Sequence, residues 1–344
     1  MALFTPSQSP AVVVKEIDLT GGVPNVQTST GAIVGKFRWG PVRERTLVSN
    51  EANLIDTFST PDTTNNIDFH AASYFLRYSQ SLYVVREAST AAKNAQVIGI
   101  IGASTAPIQI RNKTHFDVLS FASGEAYLAR FPGDLGNSLQ VQYCVQDSAS
   151  AGFASWSLAS AFDAAPTTSV FDSDRNGVNT GIHLAVVDED GLFTGTKGQV
   201  LEAYPFLSLA SNSKNEDGST AYFKDVINER SNFIYVTNQF DSDLTSANAG
   251  AALTPGTEII FNVGTNQKAK SFTGGIDSAA LGTTEFLNGF DLFEDTEQVE
   301  VDFLIAPGMT TSVDQSTVVN DLVSTAQSLR KDCIVVTSPA RNDV

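Results

Sequence analysis

Oxygen-bearing side chains recur at alternate positions in one segment, Asp172-Ser173-Asp174-Arg175-Asn176-Gly177. Such oxygens at positions 1, 3 and 5, followed by a glycine turn, are typical of the opening of a calcium-binding loop. Position 12 of that loop should supply a bidentate glutamate, but here it is His183. Asp172, Asp174 and Asn176 are therefore candidate metal ligands, and a polar turn is the favoured interpretation.

Other residue types that could do chemistry do not form a recognisable motif. Gly274-Gly275 fits neither of the two glycine-rich phosphate-binding patterns, so a tight loop is predicted there. Asp188-Glu189-Asp190-Gly191 precedes Leu192-Phe193 and is predicted to be a hairpin turn between two strands. Arg86 and Glu87 end a predicted strand, where exposed ion pairs are the default expectation. The sequence contains three histidines, two cysteines and no G-x-S-x-G elbow, so we predict no catalytic residue and no cofactor.

The charge balance limits the possible partners. The chain has 344 residues, with 21 Lys plus Arg against 38 Asp plus Glu, which gives a net charge of −17. An acidic surface repels the phosphates of a nucleic acid, so no nucleic-acid partner is expected. The apolar runs are far too short to cross a bilayer, and we expect no membrane insertion.

Composition alone favours two interpretations of the first residues equally, an extended arm and a frayed terminus. Pro6, Pro10 and Pro24 surround one apolar run, Val12-Val13-Val14. Proline removes a backbone donor and fixes φ, so this segment cannot be a central strand. The run between the prolines can still pair with an exposed edge of a sheet.

Strands and helices then alternate at both ends of the chain. Ser49 or Asn50 is predicted to cap one helix, and Asn65, Asn66 or Asp68 to begin a second. The second helix should bury Ala71, Tyr74, Phe75, Tyr78 and Leu82. Near the C-terminus a strand is predicted from the alternation of Val299, Val301, Phe303 and Ile305. A helix capped by Thr311 or Ser312 follows, with Val319, Leu322, Ala326 and Leu329 buried, and Cys333 to Thr337 is the next strand. Strand, helix and strand with so little linker predict a parallel sheet.

We therefore predict an α/β core domain with a mixed, largely parallel sheet and packed helices, built from both ends of the chain, plus an inserted α+β outer domain. The predicted boundaries are an arm at 1–24, a core domain at 25–89 and 284–344, a short connector at 90–119 and the outer domain at 120–283. Expected strands of the outer domain are Leu139 to Val145, Ile182 to Val187 and Phe233 to Val236.

Seven segments occur in the order found in one known family, the tail sheath proteins of contractile-tailed bacteriophages. The chain resembles that family in SPAVVVKE (9–16), GKFRWGPV (35–42), NLIDTFSTP (53–61), YFLRYSQSLYVVREA (74–88), RFPGDLGNSLQV (130–141), FTGGIDS (272–278) and RKDCIVVTSPAR (330–341). Each segment is weak alone, whereas seven in family order are specific.

The resemblance implies a structural subunit that polymerises helically around a tail tube and contracts by rigid-body rearrangement. Its implied partners are other copies of itself, with tail tube and baseplate proteins contacted through a C-terminal region. Its implied place is the phage virion, after assembly in the host cytoplasm. The arm residues Val12, Val13, Val14 and Glu16 would link subunits by adding a strand to a neighbour's sheet.

Two departures from the family pattern lead to further expectations. Only about 40 residues separate Ala88 from Arg130, so the connector at 90–119 is expected to replace an outer protruding domain. The chain ends just after the SP-x-R segment, and we expect it to lack the tube-facing C-terminal domain. Two alternatives remain open: an enzyme on a parallel sheet, either a hydrolase or nucleotide-dependent, and a calcium-dependent surface adhesin.

Overall fold

The computed structural model describes residues 29–99, 106–121, 124–146, 151–261 and 267–343. Its strands are β1 (Gly31–Gly35), β2 (Thr46–Val48), β3 (Leu82–Arg86), β4 (Gln96–Ile98), β5 (Glu125–Ala129), β6 (Leu139–Val145), β7 (Gly177–Val178), β8 (Gly181–Asp188), β9 (Gln199–Ser208), β10 (Ile234–Val236), β11 (Ile259–Ile260), β12 (Gln267–Ser271), β13 (Phe303–Ala306) and β14 (Ile334–Thr337). Its α-helices are α1 (Glu51–Phe58), α2 (Asn66–Leu76), α3 (Lys113–Val118), α4 (Ala151–Ala154), α5 (Val170–Ser173), α6 (Phe223–Arg230), α7 (Ser242–Ser246), α8 (Thr283–Phe290) and α9 (Ser312–Ser324).

A five-stranded sheet combines strands from both ends of the chain, in the order β14-β13-β1-β3-β2. Gly31 of β1 is in register with Leu82 of β3 on one side and with Phe303 of β13 on the other, and both pairings are parallel. Only β2 is antiparallel to its neighbour. The predicted parallel sheet is therefore present, and the two ends of the chain pair within it.

Helices cover this sheet on both faces, which explains why the central strand β1 is wholly apolar and buried. Ile33 packs with α1 and α2 through residues such as Phe58 and Phe69. Ala32 and Val34 pack on the opposite side with α8 and α9. The two crossovers, β1 to β3 and β13 to β14, thus place their helices on opposite faces.

The helix starts follow the sequence closely. The side chain of Asn50 accepts a hydrogen bond from the Asn53 N–H and caps α1, and Thr311 caps α9 through the Asp314 N–H. Of the three predicted starts of α2, Asn65 is the residue that precedes the helix, and its side chain makes no cap hydrogen bond.

The predicted buried face of α2 is wrong. The helix ends at Leu76, and the residues that it buries are Asp68, Phe69, Ala72, Ser73 and Leu76. Tyr74 and Tyr78 are 56% and 92% exposed, and Leu82 belongs to β3. The spacing of the aromatic residues predicted a different face of α2 from the one that is buried. The buried face includes Asp68, because its carboxylate accepts a hydrogen bond from the Lys36 N–H at 2.8 Å.

Two details near the C-terminus also differ from the prediction. Val299 and Val301 are buried but precede β13, whose buried residues are Leu304 and Ala306 rather than Phe303 and Ile305. In α9 the buried apolar residues are Val318 and Leu322, while Val319 is half-buried. Leu329 lies in a π-helical turn (Thr325–Arg330) and is 56% exposed, since the wider turn rotates it outward.

The middle of the chain forms antiparallel sheets of order β12-β6-β8-β9 and β10-β5-β4, with a two-stranded parallel pair β7 and β11. The three strands expected there are present as β6, β8 and β10. The turn after β8 is longer than a hairpin, because Leu192 and Phe193 are not a strand and β9 begins at Gln199. Residues 90–119 contribute β4 and α3, and β4 pairs with β5. The chain is an α/β protein of mixed sheets and helices.

Candidate assembly interface

The strand β14 is one edge of the five-stranded sheet, and within the described ranges no strand pairs with its outer side. Its inner side pairs in parallel with β13, in the register Phe303 with Ile334. Side chains alternate between the faces of a strand, so Val335 packs toward α9 while Ile334 and Val336 are 62% and 45% exposed on the other face. Unpaired backbone groups beside exposed β-branched residues can accept a further strand.

The apolar face extends from β14 onto β13, where Phe303 and Ile305 are half-buried. We call Phe303, Ile305, Ile334 and Val336 together the open face. The helix α2 covers β1 and β3 and reaches only the border of this face, where the rings of Phe75 and Phe303 lie 6.3 Å apart. Side chains of α2 form one wall of a shallow apolar cavity of about 370 Å³. The residues that line this cavity are Ala71, Tyr74, Phe75, Phe303, Ile305 and Val336.

The opposite edge of the sheet is less suited to pairing. β2 has only three residues, of which Leu47 is 57% exposed. Next to it, the guanidinium of Arg45 donates hydrogen bonds to the Leu292 carbonyl at 2.8 Å and to the Gln298 side chain at 3.1 Å. Short edge strands with a flanking charge are a common way to prevent pairing with another chain. The two edges therefore differ, and β14 is the candidate site.

A buried arginine connects the sheet to the middle of the chain. Arg86 ends β3 and is fully buried, so the expected exposed ion pair is wrong. Its guanidinium donates to the carbonyl oxygens of Phe37 at 2.8 Å, Gly40 at 2.8 Å and Pro132 at 2.6 Å. Burial lowers the pKa of Arg86 to about 10, and the nearby carboxylate of Asp277 opposes this shift. The side chain stays charged at neutral pH, with carbonyl oxygens replacing its water.

Glu87 is also fully buried rather than exposed. Arg43 holds its carboxylate by two hydrogen bonds, from Nε at 3.1 Å and from Nη2 at 3.3 Å. Burial raises the pKa of Glu87, and the charge of Arg43 opposes that rise. The adjacent Arg86 and Glu87 point to different partners, and both fix the loop after β1 to the end of β3.

Two of the family-like turns meet at this junction. The side-chain amide of Asn137 donates to the Gly275 carbonyl at 2.9 Å, and its oxygen accepts from the Gly275 N–H at 2.8 Å. Gly133 has φ +145°, a conformation that favours glycine, and its N–H bonds the Lys93 carbonyl at 3.0 Å. The Gly274-Gly275 pair is thus a tight loop, as predicted, with Gly274 at φ +80°.

The candidate calcium ligands have separate protein partners. Asp172 is buried, and its Oδ2 accepts hydrogen bonds from the hydroxyls of Thr180 at 2.6 Å and Ser208 at 2.7 Å. The Asn176 side-chain oxygen accepts from the Gly256 N–H at 3.2 Å, and Asp174 is the residue after α5. Among the residues that the structure describes, no group of three or more His, Cys, Asp or Glu side chains could hold a metal ion.

The enzyme alternative would use the carboxyl ends of the parallel strands, where ligands bind in open α/β sheets. A cavity of about 350 Å³ lies there, with Lys36 following β1 and Met309 following β13 in its wall. The Lys36 ammonium is already engaged, by Thr64 Oγ1 at 3.1 Å and by Asp277 at 3.0 Å. The described residues lining this cavity include no histidine or cysteine.

The arm residues Val12, Val13, Val14 and Glu16 lie outside the described residues. In the part of the chain that is described, no helix is long and apolar enough to span a membrane.

Comparison with known proteins gives sequence matches of one kind. No protein-family model matches the chain. The tail sheath protein of Salmonella phage ViI is 28% identical over 323 residues, covering 68% of this chain and 50% of that protein. The tail sheath protein of Enterobacteria phage T4 is 37% identical over 95 residues, covering 27% of this chain and 14% of that protein. That of Vibrio phage KVP40 is 38% identical over 88 residues, covering 25% and 13%.

The chain is homologous to phage tail sheath proteins. The chain spans about half the length of the ViI protein. Two solved sheath tail proteins resemble it at a TM-score of 0.45: Lin1278 from Listeria innocua, 11% identical over 89% of this chain and 46% of that one, and DSY3957 from Desulfitobacterium hafniense, 10% identical over 95% and 52%.

Proposed function

We propose that the protein is a structural subunit of a contractile phage tail sheath. Copies polymerise helically around the tail tube and contract by rigid-body rearrangement, which drives the tube through the host envelope. The single observation that carries the proposal is the similarity to three curated tail sheath proteins, the first of which aligns with two thirds of the chain.

The proposed partners are other copies of the same protein, together with tail tube and baseplate proteins. The proposed place is the tail of the virion, after assembly in the host cytoplasm. In this proposal the protein is not an enzyme. It does mechanical work, and the energy comes from the free-energy difference between two packings of the same subunits. Many modest polar contacts suit such a lattice better than one large apolar interface.

The proposed layout follows the predicted boundaries. Residues 25–89 and 284–344 form the core domain, 120–283 the outer domain, 90–119 the connector and 1–24 the arm. Pairing of β1 with both β3 and β13 supports a core built from the two ends. The antiparallel sheets formed within 96–271 support a separate middle unit.

The proposed link between subunits is strand addition. The arm, through Val12, Val13, Val14 and Glu16, adds a strand to the β14 edge of a neighbour. No described strand pairs with the outer side of β14, and this edge together with the exposed Ile334 and Val336 supports the role. Main-chain hydrogen bonds at such an edge can persist while the side faces of the subunits exchange contacts.

Immunogold electron microscopy tests the function on the virion. Antibodies raised against the purified chain should label the tail of the phage that encodes it along the whole shaft. After contraction the labelled length should shorten while the gold count per particle stays constant. Antibody pre-absorbed with the chain is the control. Label confined to the capsid or fibres, or a labelled length unchanged by contraction, would contradict the proposal.

A further inference from the structure

The open face and the β14 edge carry an inference about the subunit before assembly. An unpaired edge beside a contiguous apolar surface is a site for unwanted aggregation, and proteins usually cover it. We propose that in the unassembled subunit the run Ala11 to Val14 of the same chain covers this site, pairing with the outer side of β14. This inference builds on the proposed function, because assembly then exchanges the subunit's own arm for a neighbour's.

The geometry of the chain allows this occupant. The described chain starts at Ser29, just before β1. The Ser29 carbonyl accepts a hydrogen bond from Ser79 Oγ. Beside it, the Thr30 N–H bonds the Asp302 carboxylate at 2.7 Å, next to β13. A strand outside β14 would lie three strand spacings from β1, or about 14 Å. The 15 residue steps from Val14 to Ser29 can span up to about 50 Å.

The chemistry of the two surfaces also matches. The open face presents β-branched and aromatic side chains, and the run presents three consecutive valines. Whichever way the run pairs, at least one valine faces the open face, because side chains alternate along a strand. β-branched residues pack well against each other across neighbouring strands.

Tethering favours the subunit's own arm over a second copy at low protein concentration. A segment joined by a short linker has an effective concentration on the order of millimolar. Free subunits at about 1 μM therefore compete at a disadvantage of about a thousandfold. Only the additional contacts in a growing lattice would reverse that preference. The arm thus delays polymerisation until a nucleating surface supplies those contacts.

Backbone hydrogen exchange of the 344-residue chain tests the inference. Ile334 donates its N–H inward to the Asp302 carbonyl, so the N–H groups of Val335 and Thr337 point to the outer side. At about 1 μM, with light scattering confirming monomers, replacing Val12 and Val14 with Asp should speed exchange of these two amides by about tenfold. The double variant Gln8→Asp with Ser9→Asp adds the same charge outside the run and should leave exchange unchanged.

The possible outcomes separate the alternatives. Exchange at β8 should match in all variants, because none of them alters the described fold. Equal exchange of Val335 and Thr337 in the parent chain and the valine variant would overturn the inference. Protection that appears only as the concentration rises to about 100 μM would assign the site to a second copy and would also overturn it. If antibodies label the tail but the arm does not protect Val335 and Thr337 from exchange, the proposed function stands and this inference fails. If the arm protects these amides but the tail is not labelled, only the proposed function fails.

Discussion

At the scale of single residues, Asp188 organises the long turn after β8. Its carboxylate accepts hydrogen bonds from the Ser138 hydroxyl at 2.6 Å, from the N–H groups of Leu192 and Phe193 at 3.0 Å and from that of Thr194 at 2.8 Å. Burial raises the pKa of Asp188, but these hydrogen bonds outweigh burial and hold it below its ordinary value. Asp188 therefore stabilises the folded state in its charged form.

We expect Asp188→Asn to lower the free energy of unfolding by about 1 to 3 kcal/mol, because an amide leaves some of these donors unpaired. A lowered folded pKa gives stability that is present above pH 4 and lost as the pH falls through the folded value, since the unfolded carboxyl protonates near 3.9. Urea unfolding at pH 7 and pH 3 measures both effects, and the difference between chain and variant should shrink at pH 3.

Asp190→Asn is the matched control for that measurement. Asp190 lies two residues further along the same turn, is exposed and forms a surface ion pair with Lys197 at 3.4 Å. Its replacement should change stability by less than about 0.5 kcal/mol. Equal losses for Asp188 and Asp190 would show that the buried carboxylate does not organise the turn.

At the scale of elements, α2 both packs against the core and borders the open face, and its sequence does not show which aromatic residue does which. Phe69 is 2% exposed and packs between the sheet and α1, whereas Phe75 is half-buried at the border of the open face. A helix that covers only part of a sheet presents one aromatic residue to the core and another to the uncovered strands. The α2 residues Tyr74 and Phe75, which line the cavity beside the open face, are thus part of the candidate interface.

Alanine substitutions distinguish these two environments. Phe69→Ala should lower the free energy of unfolding by about 3 to 5 kcal/mol, since it leaves a cavity in a closed core. Phe75→Ala should cost less than about 2 kcal/mol, because solvent and neighbouring side chains reach its site. The sequence alone predicted that Phe75 is buried, and a buried Phe75 would give the larger loss. Thermal or urea unfolding of both variants measures the difference, and equal losses would refute the assigned burial.

At the scale of the whole molecule, acidity opposes close packing of copies. A net charge of −17 makes subunits repel each other, and this repulsion must be overcome by local contacts such as strand addition. At 0.1 M salt the Debye length is about 10 Å, so charges further apart than this are largely screened. Backbone pairing at a strand edge depends little on salt. Ionic strength is therefore expected to regulate association without altering the fold.

The second virial coefficient of the purified chain should fall steeply as NaCl rises from about 10 to about 150 mM, since screening removes the repulsion between copies. Static light scattering at several concentrations measures it. Replacing the exposed Glu297 and Glu300 with Lys changes the net charge from −17 to −13, as each substitution adds two units, and should reduce the salt dependence. A coefficient independent of salt would contradict this account.

Local features could be predicted from the sequence where a short-range rule governs them. The caps at Asn50 and Thr311 and the strand Leu139–Val145 were indicated by residue types within a few positions. The tight loop at Gly274 was indicated by its glycine pair, although Asn137, far along the chain, also holds it. The buried stripe of α2, the long turn at Asp188 and the burial of Arg86 could not be predicted. Each of these depends on a partner far along the chain: Lys36, Ser138 and Pro132, respectively.

The amino-acid order alone determined the family resemblance, the acidic charge and the alternation of strands and helices, because these are properties of the chain itself. Tertiary structure alone decided which edge of the sheet no described strand pairs with and which apolar residues the described helices leave partly uncovered. Exposure is set by what else packs nearby. On one face of the sheet α2 covers β1 and β3 but reaches β13 only at its border, so the candidate interface is the part of that face that the described helices cover incompletely.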